Sequence, residues 1–338
     1  MRDAGIRVRR LALRSLRTVD RSVHSVLDPI RLGLSVPQAA AILMTERPAA
    51  ILTTGGYVSV PVVLAAAPLR IPVVLWEGNA IPGRSVRAIA RLADALAVSY
   101  EAAGRALAGA GVPTFVTGTP IRDVSAISRA AARARLALPP DAPTILIFGG
   151  SQAVRRFNAA VTAALPRLVE RVHVLHVSGD AGYAAALAAR EALPVGQRDR
   201  YRPYPFLRDD MLAALVATDL VVGRAGSSTL AEVTALGIPS VIVPYPHAAG
   251  HQGANAEILA AAGAARIVAD DAFDADALVA ATDVLFDEPA RTSMAAAARG
   301  FGRPGAAEAI ADLVLTLGER RRLPSPETID AIARGADA

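Results

Sequence analysis

From Asp219 to Ala256 the chain reads DLVVGRAGSSTLAEVTALGIPSVIVPYPHAAGHQGANA, and this segment admits few folds. Leu220 to Val222 is an apolar run short enough for a buried strand. Arg224 to Ser228 is a glycine turn with serines placed to cap a helix, and Thr229 to Leu236 can run as that helix until Gly237-Ile238-Pro239 ends it. A second buried strand, Ser240 to Val243, follows at once. This order of elements places backbone N–H groups and the positive end of a helix at a strand's carboxyl edge, where phosphates bind in α/β sheets. Glu232 falls about one turn into the helix. A carboxylate there would repel phosphate, so its expected partner is a pair of sugar hydroxyls, and the segment reads as a nucleotide-sugar site.

A chain of 338 residues is long enough for two α/β domains, each with a full core. Hydrophobic residues make up 53%, with a mean hydropathy of +0.36, but much of that excess is alanine. No window offers the roughly 20 uninterrupted apolar residues of a spanning helix. Val58 to Leu75, the best candidate, is broken by Pro61, Pro68, Arg70 and Pro72 and reads as a helix, a turn and a buried strand. All 36 basic residues are arginine, and a net charge of +5 is too modest and dispersed to argue for nucleic acid. Anionic phosphates or lipid headgroups remain open as partners. With no cysteine, disulfides, thiolate catalysis and Cys-based metal sites are excluded. The basic start, MRDAGIRVRRLALRSLR, is not followed by the apolar core and cleavage site of a secretory signal.

Two further glycine turns of the same kind precede the first. Ala50 to Thr53 is a short strand ending at Gly55-Gly56, with Tyr57 to Ala67 helical behind it. Thr144 to Phe148 is a stronger strand ending at Gly149-Gly150-Ser151-Gln152, with a helix from Ala153 to about Leu165. Between them lie a strand at Pro72 to Leu75, the loop WEGNAIPGR, a helix near Ser85 to Leu92 and the turn Thr117 to Arg122. Alternation of strands and helices on both sides of Leu138 to Pro143 predicts two doubly wound halves facing a cleft. The expected division is a first domain at 1–137, a linker at 138–143, a second domain at 144–318, and a tail at 319–338 that packs on a domain surface or frays. Residues 1–50 fit the scheme poorly, because a doubly wound domain should open with a strand, a glycine loop and a helix.

Several polar residues have two readings. Arg122 is by default a surface charge, yet a strand-end turn lets its guanidinium reach a phosphate or stack on a base. His173 and His176, in the apolar run VHVLHV, are expected to pack in the core or at an edge. His247 and His251 are spaced like a metal pair but lack the intervening acid of HExxH, so with Gln252 and Asn255 they read as a polar sugar-binding loop. Asp274-Ala275-Asp276 reads as a helix start with a capping carboxylate. Neither a metal nor another cofactor is expected.

Taken together and in order, TGGYVSVPVVLAA, PVVLWEGNAIPGRS, GTPIR, FGGSQAVRRFN, PFLRDDM, DLVVGRAGSSTLAE and PHAAGHQGANA resemble the MurG family of peptidoglycan N-acetylglucosaminyltransferases, in glycosyltransferase family 28. The likeness runs from about residue 5 to about residue 315. It implies the GT-B fold, two Rossmann-like domains with an acceptor domain first and a donor domain second. The implied donor is UDP-N-acetylglucosamine. The implied acceptor is the undecaprenyl-pyrophosphoryl-N-acetylmuramoyl-pentapeptide lipid, met by a peripheral protein at the cytoplasmic face of the cell membrane. Residue by residue, the resemblance implies that Ser151 contacts a donor phosphate, Arg122 lies against the nucleotide, Leu207 meets the uracil through its backbone and Glu232 holds the ribose. The backbone of Ser227, Ser228, Thr229, Leu230 and Ala231 and the side chain of Gln252 would address the sugar, with Asn79 reaching in from the first domain.

The chain departs from the family pattern at three places. The opening loop GGTGGH, with a histidine proposed as the base, is not found, HEQN reads Trp76-Glu77-Gly78-Asn79, and GSQGA reads Gly150-Ser151-Gln152-Ala153-Val154. The first domain is therefore expected to be N-terminally incomplete, and a catalytically incomplete UDP-sugar-binding homologue stands as the alternative to a working transferase. Glu77 is the one candidate for the base, its other reading being a loop carboxylate that orders the turn around Asn79. An apolar cluster of Val26, Leu27, Ile30, Leu32 and Leu34 beside Arg21 and Arg31, interrupted by Pro29, is read either as a patch for an anionic membrane surface or as an ordinary buried helix.

Overall fold

The computed structural model describes residues 6–13, 24–149, 154–246 and 250–335. It divides into two compact units, 1–118 with 305–338, and 119–304.

In the first unit, helix α1 (His24–Glu46) leads into β1 (Ile51–Thr53), α2 (Ser59–Leu69), β2 (Val73–Glu77), α3 (Arg84–Ile89), β3 (Ala95–Val98), α4 (Glu101–Leu107) and β4 (Thr114–Val116). The four strands form a parallel sheet in chain order, with Ile51 opposite Val73, Leu75 opposite Leu96, and Leu96 opposite Thr114. Alternate residues of β2 serve opposite faces. Val73 and Leu75 join a core with Val63, Val86 and Ile89, while Val74 joins a second with Phe115. That is the period-2 pattern of a strand covered on both sides. Gly55, at φ +70°, admits the close packing of α3, because a Cβ there would fall 2.2 Å from Val86 Cγ2.

Helix α1 runs through both Pro29 and Pro37, with Ala39 and Leu43 buried in the first core. Tertiary packing outweighs the local cost of proline. Ile6 to Leu13 is mostly exposed chain, tied down where Gln38 Oε1 accepts the Ala12 N–H at 2.9 Å and where Arg9 meets Glu46.

The second unit begins with α5 (Arg129–Arg135) and β5 (Thr144–Phe148). There follow α6 (Val154–Arg171), β6 (His173–Val177), α7 (Asp180–Ala192), β7 (Tyr201–Tyr204), α8 (Met211–Ala217), β8 (Leu220–Gly223), α9 (Ser227–Leu236), β9 (Ser240–Ile242), α10 (His251–Ala261), β10 (Arg266–Ile267), α11 (Ala275–Ala281) and α12 (Glu288–Phe301). Its six strands are all parallel in the order β10-β9-β8-β5-β6-β7. After β7 the chain returns to the other side of β5, so β5 and β8 flank the switch point at which open α/β sheets bind ligands. Ile145 and Ile147 face one core with Phe157, Val161, Leu165 and Leu168 of α6. Leu146 and Phe148 face the other with Ala213, Leu215 and Val233. The expected end of α6 near Leu165 is passed because Leu168 and Val169 continue its buried stripe through Pro166.

The domain boundaries also differ from the sequence reading. Residues 119–143 belong to the second unit, because Ala132, Leu136 and Leu138 pack with α8 and because Arg133, 3% exposed, gathers the carbonyls of Pro139, Ala142 and Ala217. The chain then returns to the first unit through α13 (Ala306–Gly318) and α14 (Pro326–Ala333). Ala309, Ile310, Leu313, Ile329 and Ala333 complete the core around Val74 and Phe115. The segment beyond Glu319 packs, and α13 joins it in the first unit.

Candidate nucleotide-sugar site

Each of the four residues of β8 is buried, and the strand closes on Gly223, where a Cβ would sit 3.1 Å from the Phe148 carbonyl oxygen. Arg224 then turns inward. It is 5% exposed, donates from Nη1 to the Val243 carbonyl at 3.0 Å and to the Asp270 carboxylate, and has its guanidinium carbon 5.3 and 5.5 Å from the ring centroids of Phe157 and Tyr245. This buried cation fixes the turn that leads into α9. Sequence reasoning gave Arg224 no role beyond the turn, since arginine is by default a surface residue.

Helix α9 starts at Ser227, two residues before the expected Thr229, because Gly226 in an extended conformation is its N-cap. Ser227 and Ser228 are accordingly not side-chain caps. They stand with Thr229 in the first turn, whose amides have no acceptor within the helix and lie at its positive end. Leu230 closes that turn by donating its N–H to the Gly226 carbonyl at 3.0 Å, and its side chain is buried. Ala231 is half-buried beside it. At the other end Gly237, at φ +63°, and Ile238 return their N–H groups to Thr234 and Val233 and stop the helix as the sequence requires.

The segment that opens the second unit docks on this helix start. Thr119 Oγ1 and Ser227 Oγ are 2.9 Å apart, and Arg122 Nη1 donates to Glu232 Oε1 at 3.2 Å. The Glu232 side chain is 14% exposed and that of Arg122 is 51% exposed. Burial raises the Glu232 pKa above the ordinary carboxylate range, and Arg122 opposes that shift. A carboxylate this buried needs a cation or hydrogen-bond donors, and Arg122 supplies one such contact.

Gln252, the second residue of α10, accepts the Tyr245 N–H at Oε1 (2.9 Å) and so pins the connection after β9. Leu207 follows β7 and is 5% exposed, whereas Phe206 beside it is 67% exposed. Ser151 and His247 lie outside the described residues. His176 is buried, its Nδ1 2.8 Å from the Tyr201 hydroxyl and its Nε2 3.2 Å from Asn158 Oδ1, and burial lowers its pKa to about 4. It is a neutral core residue at pH 7, as VHVLHV suggests. Asp274 caps α11 through the Ala277 N–H at 2.9 Å.

Glu77 and Asn79 belong to the first unit, at the carboxyl end of β2. Glu77 is 5% exposed, Oε1 accepting the Asn79 N–H (2.9 Å) and Asn79 Nδ2 (3.0 Å) and Oε2 accepting the Gly83 N–H (2.8 Å). Both oxygens are thus engaged by the loop. Of its two readings, this geometry is that of the carboxylate that orders the turn around Asn79.

Two family descriptions match the chain: the glycosyltransferase family 28 C-terminal domain over residues 144–312 and the glycosyltransferase family 28 N-terminal domain over residues 1–98. The UDP-N-acetylglucosamine–N-acetylmuramyl-(pentapeptide) pyrophosphoryl-undecaprenol N-acetylglucosamine transferase of Roseiflexus sp. (strain RS-1) is 37% identical, over 88% of this chain and 76% of its own length. Among solved structures, MurG of Acinetobacter baumannii superposes with a TM-score of 0.70 at 27% identity, covering 93% of this chain and 86% of that one. UDP-N-acetylglucosamine 2-epimerase from Neisseria meningitidis superposes at 0.59 with 12% identity, over 89% and 84%, a likeness of fold alone. The parallel-sheet Rossmann-like units are those of GT-B enzymes. With both family domains matched and a relative at this identity along most of its length, the chain belongs to glycosyltransferase family 28, as a MurG-like member.

Proposed function

We propose that the protein transfers N-acetylglucosamine from UDP-N-acetylglucosamine to an undecaprenyl-pyrophosphoryl-N-acetylmuramoyl-pentapeptide acceptor, with inversion and without a metal. One observation carries the donor half of this reading. At the switch point of the second sheet, α9 begins at Ser227, and Glu232, one turn further on, is mostly buried and paired with Arg122. The family relatives named for this transfer support the acceptor half.

In the reaction a hydroxyl oxygen of the acceptor sugar attacks the anomeric carbon from the face opposite UDP. A carbon–oxygen bond forms, the bond from that carbon to the diphosphate oxygen breaks, and the hydroxyl proton passes to a base. The chief cost is negative charge developing on the leaving diphosphate. Amides at the start of α9 and the Arg122 guanidinium supply positive potential there, and Glu232 orients the ribose. Glu77 holds the loop at Asn79 rather than taking the proton.

That engagement of both Glu77 oxygens favours a second reading, a UDP-sugar-binding protein without turnover. Incubating the purified protein with radiolabelled UDP-N-acetylglucosamine and the lipid acceptor separates the two. Label is expected in the lipid product; donor binding without transfer would leave only the second reading, and absence of donor binding would overturn both.

We extend the proposal to peripheral attachment at the cytoplasmic face of the membrane. In α1, Leu34 is 65% exposed and Leu32 half-buried, whereas the side chains of Val26, Leu27 and Ile30 lie outside the described residues. No helix among the described residues is long and apolar enough to cross a membrane. The protein is expected to sediment with phosphatidylglycerol vesicles, less so at high salt and less so as Leu34→Asp, because an apolar contact and anionic attraction add. Failure to sediment at low salt would count against the attachment.

A further inference from the structure

Only one cation reaches the Glu232 carboxylate in an ion pair among the described residues, and it does so loosely. Arg122 donates once, from Nη1 to Oε1 at 3.2 Å, where a charge-assisted bond is ordinarily about 2.7 to 2.9 Å and a strong guanidinium pair is bidentate. Half of the Arg122 side chain is exposed, so water can take the guanidinium back at little cost. Glu232 has less freedom. It is mostly buried, and its charge requires either a cation or hydrogen-bond donors.

A ribose diol is such a pair of donors, and two vicinal hydroxyls satisfy a carboxylate through both of its oxygens. One of those oxygens, Oε1, is the acceptor that Arg122 holds. The guanidinium does not travel far if displaced. Thr119 is anchored at Ser227 Oγ, and three residues of chain keep the Arg122 backbone within about 10 Å of it, beside the first-turn amides of α9. A phosphate bound at those amides lies within the arginine's reach.

We propose that Arg122 and Glu232 form an exchange pair, in which the ribose of the nucleotide displaces Arg122 from Glu232 and the diphosphate recaptures the guanidinium. Arg122 is then a specificity-determining residue that opposes binding of a bare nucleoside and favours a nucleoside diphosphate. This rests on the reading of the α9 site as a nucleotide-sugar site. No covalent step is involved, only the transfer of one cation between two anions.

The exchange gives a sign reversal that neither a plain phosphate contact nor a structural ion pair produces. Uridine and UDP are titrated, by ligand-observed NMR, into the full chain, into Arg122→Ala and into Arg122→Lys, with thermal midpoints recorded to show that each variant is folded. Arg122→Ala is expected to bind uridine about two- to fivefold more tightly, the worth of an exposed ion pair. The same variant should bind UDP about tenfold more weakly, the worth of a charge-assisted bond. Lysine, which keeps the charge but not the fork, should fall between wild type and alanine with both ligands. Unchanged or weaker uridine binding in Arg122→Ala would overturn the exchange while leaving the nucleotide site standing. If the wild-type chain binds UDP no better than a protein without such a turn, the site and the exchange fall together.

Discussion

Arg133→Ala is expected to destabilise the second unit by about 3 to 5 kcal/mol, the range for removing one partner of a buried, hydrogen-bonded charge. Arg133 projects from α5 and is 3% exposed. Nη1 donates to the Ala217 carbonyl at 2.7 Å, Nε to the Pro139 carbonyl at 3.0 Å, and Nη2 to the Pro139 and Ala142 carbonyls and, at 3.2 Å, to Thr144 Oγ1. Asp219 stands 3.7 Å from Nη1 and also accepts the Thr144 N–H at 2.9 Å. One side chain thus joins α5, the Pro139 to Ala142 turn, the end of α8 and the start of β5. Alanine would remove the guanidinium from the Pro139 and Ala217 carbonyls, while the Ala142 carbonyl keeps the Thr144 hydroxyl as a donor at 2.9 Å. Lysine should rescue little, because one ammonium cannot reach the carbonyls that a planar fork serves together. Hydrogen exchange of the buried β5 amides reads the second unit, while fluorescence of Trp76, the one tryptophan, reads the first. Unchanged β5 protection in the variant would show that the cluster contributes little.

Glu232→Ala is expected to weaken UDP-N-acetylglucosamine binding by about 1.5 to 3 kcal/mol, roughly 10- to 100-fold, through loss of charge-assisted hydrogen bonds to the ribose. The fold should not suffer. Burial already disfavours the charged form of this side chain, and its one ion pair is to a half-exposed arginine, so removing it relieves about as much as it costs. Titration calorimetry on the variant, with circular dichroism to confirm the fold, measures both statements. An unchanged donor affinity in a folded protein would remove Glu232 from the site.

The second unit was the more legible of the two. TILIF and LVVG are uninterrupted apolar runs rich in Ile and Val, a composition that fits strands covered on both faces, and they emerge as the two strands of the switch point. By contrast Ala95 to Val98 gave no strand signal, since alanine favours helix, yet all four residues are buried between β2 and β4. Arg224 and Arg133 were equally silent. A lone arginine in sequence reads as surface, and the carbonyls that each serves are brought to it by distant segments, Ala217 lying 84 residues from Arg133. Glu77 was visible as a candidate but open between two roles, and the choice depended on how the loop from Asn79 to Gly83 folds back over it.

By itself the sequence determined what is local: the parallel α/β character, the glycine turn between β8 and α9, the stop at Gly237 and the place of Glu232 one turn into its helix. Each follows from a periodicity, a required φ or a spacing within a few residues. Only the tertiary structure decided that α13 and α14 belong to the first unit, that residues 119–143 belong to the second, that Glu77 orders a loop, and that Arg122 is the cation against Glu232. Those outcomes depend on which buried surfaces and unpaired polar groups meet across long stretches of chain, and burial is a property of the assembled core rather than of any short segment.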